Sequence, residues 1–154
     1  MNNILLVSKD ERGVCTLTLN RPTVHNALND ELIKALLSEL NTIKDDKTIR
    51  VVVITGAENS FCSGADINSM RDIVAQDYQA NKDDALQLAS LLNALYLLPQ
   101  ATVARVNGSA FGGALGLIAC CDIAITRSDA RFAFTEVKLG IIPAVISPYI
   151  VNAI

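Results

Sequence analysis

The stretch Asn107-Gly108-Ser109-Ala110-Phe111-Gly112-Gly113-Ala114-Leu115-Gly116 lies between a strand-like run, Thr102–Val106, and a helix-like one that extends to about Cys120. A second glycine loop, Phe61-Cys62-Ser63-Gly64-Ala65-Asp66-Ile67, stands in the same relation to the β-branched run Val51–Thr55 before it and the helical segment Ile67–Val74 after it. In such a unit the free backbone N–H groups at the helix start point into the space above the loop, and glycine keeps side chains out of that space. Two such loops converging on one point would hold an oxyanion. Strand, glycine loop and helix, twice over, imply a layered α/β fold.

Outward from these loops the periodicities agree. Cys15, Leu17 and Leu19 alternate with Thr16 and Thr18, a half-buried strand after a turn at Gly13, with Ile4–Val7 as its hairpin partner. Asn29 is a good N-cap for a helix whose apolar stripe is Leu32, Ile33, Leu36, Leu37, Leu40 and Ile43. Gln76–Asp84 is polar and reads as a mobile loop. A long helix then carries Leu88, Leu91, Leu92 and Leu95 on one side and stops at Pro99. Ile123–Thr126 and Arg131–Phe134 read as two further strands.

Composition narrows the class. Hydrophobic residues make up 51% and charged residues 19% of the 154, which suits a single globular domain rather than a disordered chain. Thirteen basic and sixteen acidic residues give a net charge of −3, and no basic stripe marks a nucleic-acid surface. The start of the chain has no basic n-region and reaches Lys9 after four consecutive apolar residues, too few for a signal peptide. The longest uncharged stretches, Val106–Cys121 and Leu139–Ile154, are 16 residues each, contain Gly or Pro, and fall short of a spanning helix. We therefore expect a cytoplasmic protein with no membrane partner. Cys15, Cys62, Cys120 and Cys121 match no zinc spacing, and His25 is the sole histidine, so no metal is expected.

The tail is unusual. No charged residue follows Lys138, and Ile141 to Ile154 would leave a large contiguous apolar surface in water. Either it packs on a partner subunit or the chain is a fragment whose covering helices lie elsewhere, and the second reading is preferred.

These residues resemble the crotonase family, the enoyl-CoA hydratase/isomerase superfamily. The likeness runs through Asn20-Arg21-Pro22 with Asn26-Ala27-Leu28, Phe61 to Ile67, Val106-Asn107-Gly108 with Gly112-Gly113, Cys121-Asp122-Ile123-Ala124, Phe134 to Gly140, and Ile142-Pro143. The resemblance implies a spiral of strand–strand–helix repeats, with residues 1–154 as the core domain and the C-terminal trimerisation helices absent. It implies a homo-oligomer, a trimer or dimer of trimers, for the full-length form. It also implies that the N–H groups of Ala65 and Gly113 form the oxyanion hole for an acyl-CoA thioester. His25, Ala27, Ala65, Asp66, Ile67, Asn68 and Gly113 would bind that substrate, and no cofactor beyond it is needed.

The chemistry fits. Water addition at Cβ of an enoyl thioester, or proton removal beside it, drives negative charge onto the thioester oxygen. Two preorganised N–H donors stabilise that enolate, and loss of one such donor costs about 3–4 kcal/mol of barrier. In the family's hydratases two glutamates share the proton work. One matches Glu136; the other position is Gly116 here. A single carboxylate suffices for a double-bond isomerase, which is the alternative to hydration. Within the family, Gly112 to Leu117 and Glu136 to Tyr149 look like the bacterial branch of methylglutaconyl-CoA hydratases of leucine breakdown, and are similar to hydratases of branched isoprenoid acyl-CoAs. We expect a substrate's own distal carboxylate to order water where Gly116 leaves room.

Plainer assignments compete. Glu136 taken alone is as easily a surface residue. Asp66 reads better as a helix cap than as a general acid, and Gly116 as a packing glycine. Ser109 and Cys62 are candidate nucleophiles for a thioester hydrolase, but no G-x-S-x-G elbow or paired base accompanies them. A chain with one glutamate could also bind acyl-CoA without turning it over.

Overall fold

The computed structural model describes residues 3–154, except for the side chain of Val74. A hairpin opens the chain: β1 (Leu5–Lys9) pairs antiparallel with β2 (Val14–Leu19), Leu5 opposite Leu19. Along β2 the side chains of Cys15, Leu17 and Leu19 are buried while Val14, Thr16 and Thr18 are half-buried, the period of two expected of a strand with one covered face. From β2 onward the large sheet is parallel. Its order is β1, β2, β3 (Val51–Gly56), β5 (Ala101–Val106), β7 (Ile123–Thr126).

Each of the last three strands of that sheet turns directly into a very short strand. β4 (Ser60–Cys62), β6 (Ser109–Phe111) and β8 (Phe132–Ala133) make a second, all-parallel sheet in the order β4, β6, β8. The repeat is therefore strand, short strand, helix, as the resemblance implies. α2 (Ile67–Val74) follows β4, and α4 (Gly113–Ala119) follows β6. β8 leads through a 3-10 turn, Glu136–Leu139, to α5 (Ser147–Ala153).

α1 (Asp30–Asp45) starts where the sequence places it, because the Asn29 side chain accepts the Leu32 N–H. Its apolar stripe, Leu32, Ile33, Leu36, Leu40 and Ile43, packs with Leu91, Leu92 and Leu95 of α3 (Tyr78–Tyr96) and the inner face of the large sheet into one core. The expected loop at 76–84 is instead largely helix: α3 spans Tyr78–Tyr96. Asp77 caps it by accepting the Ala80 N–H at 2.8 Å, and Gln79 donates to Asp83 one turn on. Polarity there reflects a solvated helix face, which composition alone does not distinguish from a loop. β4 and β6, read from the sequence as loop, are the other departure; three-residue strands beside glycine leave no periodicity to detect.

Candidate active site

The short sheet is what brings the two glycine loops together. β4 and β6 pair with Ser60 opposite Ser109 and Cys62 opposite Ala110, so the residues that follow each strand emerge side by side. The approach is closer than any side chain permits. Gly64 has φ +90°, and a Cβ there would lie 2.7 Å from the Phe111 carbonyl oxygen. Gly112 has φ +52°, and its Cβ would stand 3.2 Å from both Glu136 Oε1 and Thr135 Oγ1. Glycine at these two positions lets the loops touch each other and lets Glu136 reach over the second loop.

A bridge from the N-terminal part of the chain fixes the first loop. Leu28 lies beside Ala65 as an isolated parallel bridge; the Leu28 N–H donates to the Gly64 carbonyl and the Asp66 N–H to the Leu28 carbonyl, both 2.8 Å. In that pattern the residue between the two bonds, Ala65, turns its own N–H away from its partner. Gly113 is the first residue of α4, where an N–H has no partner within the helix. Among the described residues neither N–H is taken up by another group. Ala65 is exposed and Gly113 half-buried, so both open onto a reachable space.

Glu136 stands over that space on the 3-10 turn. Its side chain is half-buried, and Oε2 is buried with no hydrogen-bond partner among the described residues. A buried acceptor left unpaired costs free energy unless something is to be received there. Ala65, Gly113 and Glu136, the three residues the sequence marks for chemistry, are thus carried on adjoining segments: Ala65 follows Gly64, Gly113 follows Gly112, and those two glycines lie against each other with Glu136 over the second.

The other sequence candidates surround it at different depths. Ile67 and Asn68 are exposed at the start of α2. His25 is exposed, with Nδ1 3.0 Å from Ser60 Oγ, on the rim rather than beside Glu136. Ala27 is buried, and its carbonyl accepts from Arg21 Nη1. Asp66 is buried as well: Oδ2 pairs with Arg21 Nη2 at 2.8 Å and Oδ1 accepts the Asn68 N–H. Burial pushes its carboxyl up, but the Arg21 guanidinium and the N–H groups of α2 outweigh it and hold the group below the ordinary carboxylate value. Asp66 therefore caps α2 and anchors its loop, as the plainer reading has it.

Burial pushes the Cys62 thiol up to about 12 and leaves it fully enclosed, and Ser109 Oγ accepts the Arg131 N–H, so neither is a poised nucleophile. One expectation is overturned. Gly116 leaves no room for ordered water: a Cβ there would meet Ile146 Cγ2 at 2.5 Å and Leu92 Cδ1 at 3.1 Å. The packing assignment of Gly116 is the correct one.

Three positioning residues carried no assigned role in the sequence. Arg21 joins the Ala27 carbonyl to Asp66. Buried Asn26, at φ +57°, accepts the Arg21 N–H and donates to the carbonyls of Ala57 and Ser60. Asn107 accepts the Gly56 N–H and donates to the Glu58 carbonyl, tying the turn after β3 to the one after β5. Two asparagines at loop starts were the available signal, since asparagine tolerates left-handed backbone and bonds neighbouring main chain.

The sequence profile described as enoyl-CoA hydratase/isomerase matches residues 9–154. The chain is 40% identical over 140 residues to the 2,3-dehydroadipyl-CoA hydratase of Escherichia coli, covering 90% of this chain and 52% of that protein. It is 36% identical over 148 residues to a short-chain-enoyl-CoA hydratase of Clostridium acetobutylicum, covering 93% and 53%. Among solved structures, an enoyl-CoA hydratase from Shewanella pealeana superimposes with a TM-score of 0.94 at 39% identity, over 97% of this chain and 56% of that one. The chain spans about half the length of the curated relatives it matches.

Proposed function

This chain belongs to the enoyl-CoA hydratase/isomerase family, and from that premise we propose that it hydrates an α,β-unsaturated acyl-CoA through an enolate held by the N–H groups of Ala65 and Gly113. The observation that carries the reading is the contact of the two loops at Gly64 and Gly112 beneath Glu136, whose buried Oε2 has no partner among the described residues. The thioester oxygen accepts from the two N–H groups, and the positive end of α4 adds to them. Glu136 takes the proton from water as it adds to Cβ, and the proton returned to Cα completes the addition. His25, Ala27, Ile67 and Asn68 hold the CoA portion on the open side of the loops, while Asp66 keeps the first loop in place. Thioester and water are the only reactants needed, so the reading calls for no metal or redox cofactor.

The acyl group we propose is branched, with 3-methylglutaconyl-CoA of leucine breakdown as its type. Support for it is the run Gly112–Leu117 with Glu136–Tyr149, because the space once expected at Gly116 is filled. We further read residues 1–154 as a core domain of a cytoplasmic enzyme that works as a trimer. The exposed Ile123, Ile125, Val137, Ile142 and Val151 would lie beneath its remaining helices or a second subunit.

One observation favours a second reading. With Gly116 packed shut and the Asp66 carboxylate taken up by Arg21 and the Asn68 N–H, Glu136 is, among the described residues, the carboxylate left for chemistry at the loops, and a double-bond isomerase needs no more than one. Incubation with 3-methylglutaconyl-CoA and crotonyl-CoA in deuterated water, followed by mass spectrometry, separates the two. Gain of one water is expected. Deuterium uptake without added water replaces hydratase by isomerase, and an unchanged substrate overturns both in favour of acyl-CoA binding without turnover.

A further inference from the structure

Two glycines one turn apart on α4 have opposite surroundings. A Cβ on Gly113 would meet only Leu28 Cδ1 and Leu88 Cδ2, each at 3.8 Å, an ordinary contact distance that leaves space for an atom. A Cβ on Gly116 would collide with Ile146 Cγ2 at 2.5 Å, with Ile146 Cβ and Leu92 Cδ1 at 3.1 Å. The gap above α4 is thus open at the oxyanion loop and shut about 5 Å further on, the advance of one helical turn.

The plug is well held. Ile146 is 2% exposed and lies at the start of α5, whose first turn closes when its carbonyl accepts the Ile150 N–H. Tyr149 packs on Tyr96 of α3 with ring centroids 5.3 Å apart, which seats α5 across α3 and α4. Leu92 belongs to the same α3 face one turn beyond Leu88.

On the function proposed above, a thioester oxygen at Gly113 leaves its two substituents opposite ways out. The large, charged CoA portion needs water and must leave past exposed Ala65 and Ile67. The apolar acyl carbons then run inward along α4, toward the Gly116 end. We propose that Ile146, backed by Leu92, is the floor of the acyl pocket and restricts this protein to short acyl groups. Branching near the thioester remains possible beside Leu28 and Leu88; length does not.

The test compares butyryl-CoA with octanoyl-CoA, both saturated, so that binding is read by calorimetry without turnover. A hydrophobic pocket discriminates by roughly 10–200-fold per misfitted methylene, so the protein should bind butyryl-CoA at least about 10-fold more tightly. Ile146→Ala removes Cγ2 and should bring the two affinities within about threefold, whereas Ile146→Val keeps both γ-carbons and should keep the preference. The same ratio is read in kcat/KM with crotonyl-CoA and trans-2-octenoyl-CoA; general loosening of the fold would lower both substrates together and leave it unchanged. Equal binding of the two CoA esters by the unmodified protein overturns the floor, a result that needs no variant to fold. So does a folded Ile146→Ala protein with an unchanged ratio. A length preference in binding with no turnover would sink the hydratase and isomerase readings and leave the floor standing.

Discussion

β5 and β7 are neighbours in one parallel ladder, yet they live in different molecules as far as water is concerned. On β5, Thr102, Ala104 and Val106 are buried between the layers; on β7 all four residues, Ile123 to Thr126, are exposed. The same split divides the chain. Residues up to Cys120 supply all but one of the buried apolar side chains, and beyond Cys121 only Ile146 joins them. Backbone pairing alone thus carries the sheet one strand past the core that stabilises it, since hydrogen-bond ladders exchange water for carbonyls at little net gain while burial supplies most of the driving force. The candidate site straddles the boundary in sequence: the two glycine loops precede Cys120, and half-buried Glu136 follows it.

The largest effects should come from the buried side. Phe61 is fully enclosed where β4 passes beneath the first glycine loop. Phe61→Ala should cost about 3–5 kcal/mol of stability and take activity with it, as read by urea unfolding. A loss under about 1 kcal/mol would mean that the core is not continuous under the loops.

Glu136→Gln tests the boundary from the other side. It should lower kcat by about 10²–10⁴-fold while leaving the unfolding midpoint nearly where it was, because Glu136 lies in the segment beyond Cys120 that adds little to the buried core. Equal activity would remove Glu136 from the mechanism and with it the reason for its unpaired oxygen.

How much of this was legible beforehand follows the same division. β2 and α1 lie on the buried side and announce themselves by periodicity and by the Asn29 cap, whereas α2, exposed or half-buried along its described side chains, is marked by the Asp66 cap. The candidate residues Ala65, Gly113 and Glu136 came from motifs of the family resemblance, whose glycines have a steric reason at Gly64 and Gly112. Gly116 was misread because a sequence shows which side chain is missing and not what fills its place; Ile146 is thirty positions away in the chain and arrives only through α5. The start of α3 was misread for the converse reason, that an exposed helical turn has the composition of a loop.

Two carboxylates give smaller and opposite tests. Arg21 and the α2 N–H groups hold Asp66 below its ordinary value against the opposing push of burial, so its stabilising effect is present above about pH 4 and fades as the pH falls through the lowered value. Asp66→Asn should therefore cost about 1–3 kcal/mol at pH 7 and progressively less as the pH falls through the lowered value. Asp84 is pushed up, first by burial and then by Asp30 across from it on α1, so the folded chain holds its proton longer than the unfolded one. That raised group loses stability for the protein as the pH climbs past about 4. Asp84→Asn should be stabilising at pH 7, by about 0.5 kcal/mol once the screening of a half-exposed pair is allowed for, and neutral near pH 3.

The smallest effect is the sharpest test of the comparison itself. Ile125 is 60% exposed on β7, and Ile125→Thr keeps a β-branched residue in a strand whose four side chains are all exposed. In the 154-residue chain the substitution should change stability by no more than about 0.5 kcal/mol, the ordinary range for a surface position. A cost above about 1 kcal/mol that grows with protein concentration would show that copies of the chain cover this face for one another, since anything that binds the folded form adds to its apparent stability by mass action. A similar cost independent of concentration would place β7 inside the core and erase the division between the two strands.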